Sequence, residues 1–346
     1  MPERGELIVH AGFAKTGSSA LQFWLDQNAD ALAEAGVRYP REGISAAEAP
    51  GGITSGNGKS LAQFLVRRLR EPGFERRVFR KEFREKFLPA PGERVLVSRE
   101  QIRSFDPELL RRFKDQIIPE VRLTFVLFIR DIYGSIRARW MQAVKRAAWT
   151  ESLEKEIASF QLNTPDRLKD LVAVLGPENV RLLHYDSVAG DVVGAFLKTI
   201  GLEGAFSGKV ARAPLVNRSL TDAEARVLME CSAIHRRKDA SQRISDHFME
   251  HYPDRAVAHI PDPAVITALN ERFADEIRWV NDNFFEGRDV FSAGRVGAPS
   301  GPARDASDVS DDQVWREVAL FLVEKLAVRL ERLDSKRPVR RKQNLV

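Results

Sequence analysis

The sequence predicts an α/β protein in three layers, with a central, mostly parallel sheet and helices on both of its faces. Two observations predict this class. Short apolar runs that suit buried strands alternate along the chain with longer amphipathic segments that suit helices. The first apolar run also passes through a loop of small residues straight into a helical pattern, as at a strand–helix junction of such sheets.

Taken in order, the elements keep this alternation over most of the chain. Strands are predicted at 6–11, 93–98 and 121–129, and in the second half of 166–185, after the break at Gly176 and Pro177. Helices are predicted at 18–35, 59–70, 76–87, 132–147, 190–202, 220–235 and 263–284, and in the first half of 166–185. Residues 40–58 are rich in glycine, proline and serine, which predicts a long loop.

The predicted domain organisation is one α/β domain, 1–291, followed by smaller parts. Residues 292–312 are small, polar and rich in proline and glycine, which predicts a flexible linker. Residues 313–334 predict an amphipathic helix with an apolar stripe, and the basic tail 335–346 is expected to be disordered. The stripe comprises Val314, Val318, Phe321, Leu322 and Leu326. It could dock on its own domain, lie on a membrane surface or, as we favour, support self-association.

Composition excludes some classes of protein. The chain of 346 residues has 43% hydrophobic and 30% charged residues, so it can bury a core without cross-links. Its single cysteine, Cys231, excludes an internal disulfide. The longest strongly apolar run, 123–129, is too short to span a bilayer, and no secretory signal is evident, so a cytoplasmic protein is expected. The net charge of +5 indicates either a mixed solvated surface or attraction to an anion.

The loop "GFAKTGSS" after the first strand has the residues of an anion site. Glycines allow close approach, the first amides of the next helix have no helical partner, and a lysine adds a point charge. The lysine precedes the second glycine, unlike in the G-x-x-x-x-G-K-[ST] loop of nucleoside triphosphatases. A plain strand-to-helix turn is the alternative. The candidate ligands are Gly12, Lys15, Thr16, Gly17, Ser18 and Ser19.

The stretch "KTGSSALQ" resembles the 5'-phosphosulfate loop of the PAPS-dependent sulfotransferases, K-T-G-T/S-T/S-x-L-Q (PAPS is 3'-phosphoadenosine 5'-phosphosulfate). Four further segments resemble bacterial members, so that the resemblance covers about 6–291: "NADALAEAGVRYP", "DRLKDLVAVLGPENVRLLHYD", "VNRSLTDAEARVL" and "NERFADEIRWVNDNFFEGRDVF". The resemblance implies a P-loop-like sulfotransferase fold. It implies transfer of a sulfuryl group from PAPS to a hydroxyl, with PAP (adenosine 3',5'-bisphosphate) as product. It assigns the donor's 5' end to Lys15, Thr16, Gly17, Ser18 and Ser19, with Lys15 also catalytic.

The resemblance also implies a site for the donor's 3'-phosphate. The family places an arginine at the end of the third predicted strand, and Arg130 matches it. The family's serine eight residues later is Ala138 here, so Ser135 is the candidate substitute. A surface ion pair with Asp131 or another neighbour is the alternative role of Arg130. Lys209 and Arg212 are candidates for a basic loop that closes over the nucleotide, and an ordinary exposed loop is the alternative that we favour for either one.

A hydroxyl acceptor needs a general base, and relatives use histidine or glutamate. Glu100, just after the second predicted strand, is the first candidate, and His10, at the end of the first strand, is the second. The alternatives are a surface carboxylate paired with Arg99 or Arg103, and a histidine satisfied within the core. No metal is expected, because the remaining histidines show no convincing ligand spacing.

Three functions remain open from the sequence. The first is a sulfotransferase acting on a glycan, a glycolipid or another small polar metabolite, with no role for nucleic acid. The second is a kinase or nucleoside triphosphatase, which would need a magnesium site. The third is a catalytically degenerate protein that binds polyanions through a basic segment comprising Arg67, Arg68, Arg70, Arg76, Arg77, Arg80 and Lys81.

Overall fold

The computed structural model describes residues 4–13, 15–41, 56–206, 218–255, 259–295 and 309–334. Lys209, Arg212 and the tail 335–346 lie outside the described residues, as do most of the predicted 40–58 loop and of the predicted linker.

Within the described residues, five parallel strands form one sheet in the order β2-β3-β1-β4-β5. The strands are β1 Glu6–His10, β2 Val37–Arg38, β3 Arg94–Ser98, β4 Arg122–Ile129 and β5 Val180–His184. The α/β class with a central parallel sheet flanked by helices is therefore confirmed. The chain places β2 and β3 on one side of β1 first and then β4 and β5 on the other side. In open α/β sheets, ligands bind where the strand order switches in this way, outside the carboxyl ends of the strands.

The helices lie mostly where the sequence predicts them. In chain order they are α1 Ser18–Gln27, α2 Ala29–Glu34, α3 Lys59–Leu65, α4 Arg76–Lys86, α5 Pro107–Arg112, α6 Ile132–Ala147, α7 Leu153–Ser159, α8 Thr164–Leu175, α9 Tyr185–Val188, α10 Val192–Thr199, α11 Asp222–His235, α12 Lys238–His251, α13 Pro263–Arg272, α14 Ala274–Phe284 and α15 Asp311–Asp334. Among the described helices, none combines the length and apolar character needed to cross a membrane.

The prediction of one helix over 18–35 is wrong, because the chain breaks at Asn28 into α1 and α2. Asn28 has φ −111° and ψ 20°, and its side-chain amide donates to the Trp24 carbonyl at 2.8 Å. Asparagine competes for local backbone groups in this way, which favours helix ends over helix interiors. The helix predicted over 263–284 is likewise two helices, α13 and α14, and the sequence analysis missed β2, α7, α9 and α12.

The sheet buries side chains on both faces. Alternate strand residues Ile8, Leu96, Val126 and Phe128 pack with α1, α2 and α10 in one apolar cluster. The intervening residues, such as Val9 and Phe125, are also fully buried, and Phe105 contacts the Phe125 ring edge-on at 6.4 Å between centroids. Helices on both faces account for the buried, mostly apolar side chains on both sides of these strands.

The chain contacts divide into two compact units. Unit 1 comprises Met1–Arg139, Glu156–Asn217 and Ile260–Pro302 and contains the sheet. Unit 2 comprises Trp140–Lys155, Arg218–His259 and Ala303–Val346 and contains α11, α12 and α15. The domain boundaries suggested by the sequence, at 291, 312 and 334, stay a prediction.

The core of unit 2 includes the amino-terminal half of α15. Val314, Val318 and Phe321 are buried there together with Leu228 and Phe248. The other two residues of the predicted stripe, Leu322 and Leu326, are 48% and 59% exposed. The stripe is thus used for packing within unit 2 only in its first part.

A buried chain of charges also holds unit 2 together. The Glu224 carboxylate is fully buried and accepts from the guanidinium groups of Arg218 and Arg255, each at 2.7 Å. Arg255 also donates to Glu317 on α15 at 2.7 Å. The Thr221 hydroxyl and the Glu224 side chain form a capping box at the start of α11. Glu224 therefore both caps α11 and neutralises two arginines.

Candidate functional site

The loop between β1 and α1 contains two residues whose backbone has the left-handed conformation. Backbone pairing with β4 continues beyond β1, because the Ala11 and Phe13 amides donate to the Val126 and Phe128 carbonyls at 3.2 and 3.3 Å. Lys15 then has φ 67° and Gly17 has φ 75°. A left-handed lysine is uncommon, since its Cβ crowds the backbone there. The turn sets the amides at the start of α1 at the carboxyl edge of the sheet, where an anion would meet them.

The hydroxyls of this loop have different surroundings. Thr16 is fully buried, and its hydroxyl donates to the Phe13 carbonyl at 2.7 Å, so it braces the loop. Ser18 is buried, and within the described residues its Oγ has no hydrogen-bond partner. Lys15 and Ser19 are exposed at the surface of the loop.

Gly12 is required by the space inside the loop. A Cβ added there would lie 2.6 Å from Ser18 Oγ, 3.2 Å from His10 Nε2 and 3.3 Å from Thr16 Oγ1. His10 Nε2 is also buried and lacks a hydrogen-bond partner in the described part of the chain. Buried polar atoms are normally satisfied by a partner, a water or a ligand. The orphaned Ser18 hydroxyl beside exposed Lys15 therefore fits a ligand oxyanion held by the loop.

Arg130 lies close to this loop through Tyr185. It follows the last residue of β4, and its guanidinium lies over the Tyr185 ring at 5.2 Å from the centroid. A Cβ added at Gly17 would lie 3.1 Å from Tyr185 Cε2. One aromatic ring thus abuts the lysine loop and supports the arginine. The structure places Gly17 of the Lys15 loop and Arg130 against the same ring, although they follow two different strands.

The ion pair of Arg130 is with Asp186, and not with Asp131 as the sequence-level alternative first named. Its Nε donates to Asp186 Oδ1 at 3.2 Å, and the Asp131 amide donates to Asp186 Oδ2 at 2.9 Å. The sequence analysis missed both Tyr185 and Asp186. The available signal was their position directly after a predicted strand, because the carboxyl ends of parallel strands meet at one edge.

Asp131, His184 and Asp186 form a cluster of potential metal ligands, with one ligand atom of each within 4.8 Å of the others. The sequence analysis expected no metal. His184 Nε2 lies 3.0 Å from Asp131 Oδ1, which also accepts from the Ser292 amide at 3.3 Å. Since protein donors already contact both carboxylates, we interpret the cluster as a hydrogen-bonded network that joins the ends of β4 and β5.

Ser135, the candidate for the 3'-phosphate, is half-buried in α6, and its amide donates to the Asp131 carbonyl at 2.9 Å. Ala138 lies further along the same helix. Ser135 is thus near Arg130 in the chain.

The two candidate bases differ in environment. His10 is fully buried, its Nδ1 lies 2.8 Å from Ser98 Oγ, and burial lowers its pKa to about 3. Glu100 is half-buried in a short 3₁₀ helix, Glu100–Ser104, that follows β3. Burial lowers the pKa of Arg103, and the negative charge of Glu100 opposes that shift. Glu100 therefore lies within electrostatic reach of Arg103.

The burial of His10 predicts a specific pH dependence of stability. A histidine whose folded-state pKa is about 3 stays neutral in the folded protein while it protonates in the unfolded chain below pH ~6.5. The unfolded state then binds more protons, so stability falls as the pH falls. Between pH 7 and 4.5 this one group is expected to lower the free energy of unfolding by about 2–3 kcal/mol.

The variant His10→Asn removes the titrating group and keeps an amide that can bond to Ser98. Urea denaturation of both proteins between pH 7 and 4.5 measures the effect as the difference between the two curves. The wild type should lose more stability on acidification than the variant. Parallel curves would show that His10 does not carry this dependence.

Comparisons with known proteins give matches among solved structures only. No protein-family model matches the chain, and no curated protein matches it. A sulfotransferase from Alicyclobacillus acidocaldarius is 14% identical over 81% of this chain and 95% of its own, with a TM-score of 0.41. Retinol dehydratase, in a structure with androsterone and the inactive cofactor PAP, is 14% identical over 82% of each chain, with a TM-score of 0.30. The sulfotransferase domain from the curacin biosynthetic pathway is 9% identical over 79% of this chain and 99% of its own, with a TM-score of 0.33.

Proposed function

We propose that this protein transfers a sulfuryl group from PAPS to a hydroxyl of a glycan, a glycolipid or another polar metabolite. The observation that carries the proposal is the convergence of the Lys15 loop and Arg130 on the Tyr185 ring. A nucleotide with anionic groups at both its 5' and 3' positions has the charge distribution to bind both. A ligand with a single phosphate would leave one of the two cations unused.

Different residues of this chain bind the two phosphate-bearing ends of the donor. The backbone amides from Thr16 to Ser19 and the Ser18 hydroxyl hold the 5'-phosphate, and Arg130, with Ser135 beside it, holds the 3'-phosphate. The bound donor would supply an activated sulfuryl group. Lys15 stabilises the negative charge that grows on the leaving phosphate oxygen, as preorganised cations do in related group transfers.

The acceptor hydroxyl must lose its proton, and Glu100 is the base that we favour. It is half-buried beside the carboxyl end of β3. In the sheet, β3 is the neighbour of β1, the strand that leads into the Lys15 loop. His10 is the weaker candidate, because a base with a pKa of about 3 takes up a proton poorly at neutral pH.

The first test is a thermal-shift titration of the full chain with adenosine 3',5'-bisphosphate, AMP, and ATP with Mg²⁺. A ligand at 100 times its dissociation constant stabilises the folded state by about 2.7 kcal/mol. We expect the bisphosphate to raise the melting temperature at much lower concentration than AMP. Lys15→Ala should weaken this response, whereas Lys198→Ala, which removes an exposed lysine paired with Glu203, should not.

The alternatives predict different patterns. Stabilisation by ATP with Mg²⁺ alone would replace the proposal with a kinase or triphosphatase function. No stabilisation by any nucleotide would contradict nucleotide-dependent transfer and favour a polyanion-binding role. A bisphosphate response supports the proposal, and release of PAP from PAPS in the presence of hydroxyl acceptors then tests the transfer itself.

A further inference from the structure

The two oxygens of the Asp186 carboxylate accept hydrogen bonds from different groups, one from a side chain and one from the backbone. Oδ1 accepts from Arg130 Nε at 3.2 Å, and Oδ2 accepts from the Asp131 amide at 2.9 Å. Asp186 follows the end of β5 and Arg130 follows the end of β4, so this contact joins two adjacent strand ends. The side chains of Asp186 and Arg130 are only 25% and 14% exposed. The carboxylate therefore fixes both the guanidinium and the backbone next to it.

Two further contacts leave the guanidinium of Arg130 little freedom. Its face lies over the Tyr185 ring at 5.2 Å from the centroid. Gly134 lies against it, because a Cβ added there would be 2.8 Å from Arg130 Nε and 3.4 Å from Nη2. The group is thus held at its Nε by Asp186, on its face by Tyr185 and along the Nε–Nη2 side by the α6 backbone.

These contacts determine which donors of Arg130 remain for a ligand. A guanidinium presents its N–H donors in a planar fork and can grip a phosphate with two parallel hydrogen bonds. The Nε–H is used by Asp186. Among the residues that the structure describes, neither terminal nitrogen of Arg130 donates a hydrogen bond. The edge formed by Nη1 and Nη2 is therefore the one presented to an anion.

We propose that Asp186 is a positioning residue that presents the Nη1–Nη2 edge of Arg130 and so makes the site select nucleotides with a 3'-phosphate. The inference rests on the proposed function, since it concerns the same donor site. Asp186 itself does not touch the ligand. Its negative charge opposes anion binding, so its contribution to the site is the orientation that it enforces and not its potential.

Charge and orientation predict opposite results when Asp186 is replaced. If the charge of Asp186 mattered most, Asp186→Asn would tighten the binding of every anionic nucleotide. If orientation matters most, the amide leaves one of the two donors facing an NH₂ group, Arg130 loses its fixed edge, and only the 3'-phosphate contact weakens. The sign of the change thus separates the two explanations.

The experiment is calorimetric titration of the full chain with adenosine 3',5'-bisphosphate and with AMP. For Asp186→Asn we expect about tenfold weaker binding of the bisphosphate, in line with the loss of a hydrogen bond to a charged group. The affinity for AMP should change by less than about twofold, because AMP does not use Arg130. The readout is the ratio of the two affinities, which a general loss of structure would not change selectively.

Asp106→Asn is the matched control. Asp106 also binds a guanidinium, with its Oδ2 2.6 Å from Arg67 Nε, and it also accepts from backbone amides, those of Glu108 and Leu109. It caps α5, and its partners Arg67, Glu108 and Leu109 belong neither to β4 nor to β5. Its variant should leave the ratio of affinities as in the wild type. In an Arg130→Gln background, Asp186→Asn should have no further effect on the ratio, because Asp186 acts through Arg130.

Several results would overturn the inference. Equal weakening of both nucleotides would make Asp186 merely structural, and tighter binding of the bisphosphate would make its charge dominant. A wild-type preference for the bisphosphate that survives in Asp186→Asn would remove the inference and leave the proposed function intact. A wild type that binds neither nucleotide would overturn both. Should Asp186→Asn not fold, Asp186→Glu displaces the carboxylate by one methylene and is expected to lower the same ratio.

Discussion

Replacing Lys15 with alanine is expected to lower the rate of sulfuryl transfer by about 10²–10³-fold, the usual effect of removing one preorganised group that stabilises developing charge. Lys15 is the lysine of the loop that abuts Tyr185, and its backbone is left-handed at φ 67°. Alanine keeps the same backbone requirement, so the change removes the charge and leaves the turn. The rate is measured as release of PAP from PAPS with a hydroxyl acceptor, at saturating donor.

Two further variants serve as controls for the Lys15→Ala result. Lys15→Arg keeps a positive charge and should retain part of the rate, whereas Lys198→Ala, at an exposed lysine paired with Glu203, should leave the rate unchanged. Because Lys15 acts mainly as charge develops, the fall in kcat should exceed the loss of affinity for adenosine 3',5'-bisphosphate. An alanine variant with full turnover would remove Lys15 from the catalytic machinery.

Replacing Glu224 with glutamine is expected to destabilise unit 2 by about 3–5 kcal/mol, the cost typical of breaking a buried ion pair by removing one partner. The carboxylate is fully buried and contacts two arginines, Arg218 and Arg255, whose side chains are only 9% and 7% exposed. Glutamine leaves both guanidinium groups without their shared counter-charge. Glutamine can still serve in the capping box at the start of α11, so the effect reports the lost charge.

Hydrogen exchange followed by mass spectrometry measures this effect segment by segment, since a chain of two units need not unfold in one step. Protection should fall in α11, α12 and α15. The matched control is Glu230→Gln on the exposed side of α11, which should change stability by less than about 0.5 kcal/mol. Unchanged protection in Glu224→Gln would mean that the buried charges contribute nothing net.

The local elements around the site could be predicted from the sequence because their signals are local. The alternation of short apolar runs and amphipathic segments gave β1, β3, β4 and α6 to within a residue or two. The same reasoning failed at Asn28, where one polar side chain outweighs an otherwise helical pattern. It also missed β2, whose two residues are a strand only because β3 lies beside them.

The amino-acid sequence by itself determined the α/β class and a loop of glycines, hydroxyls and one lysine before a helix. These depend on periodicity and on the conformations open to each residue type. Only the tertiary structure decided that Arg130 and Tyr185 lie beside that loop and that Arg130 pairs with Asp186. It also decided that Glu224 is buried between two arginines. The reason is physical. Contacts between distant segments depend on strand order, register and packing, which no local pattern encodes.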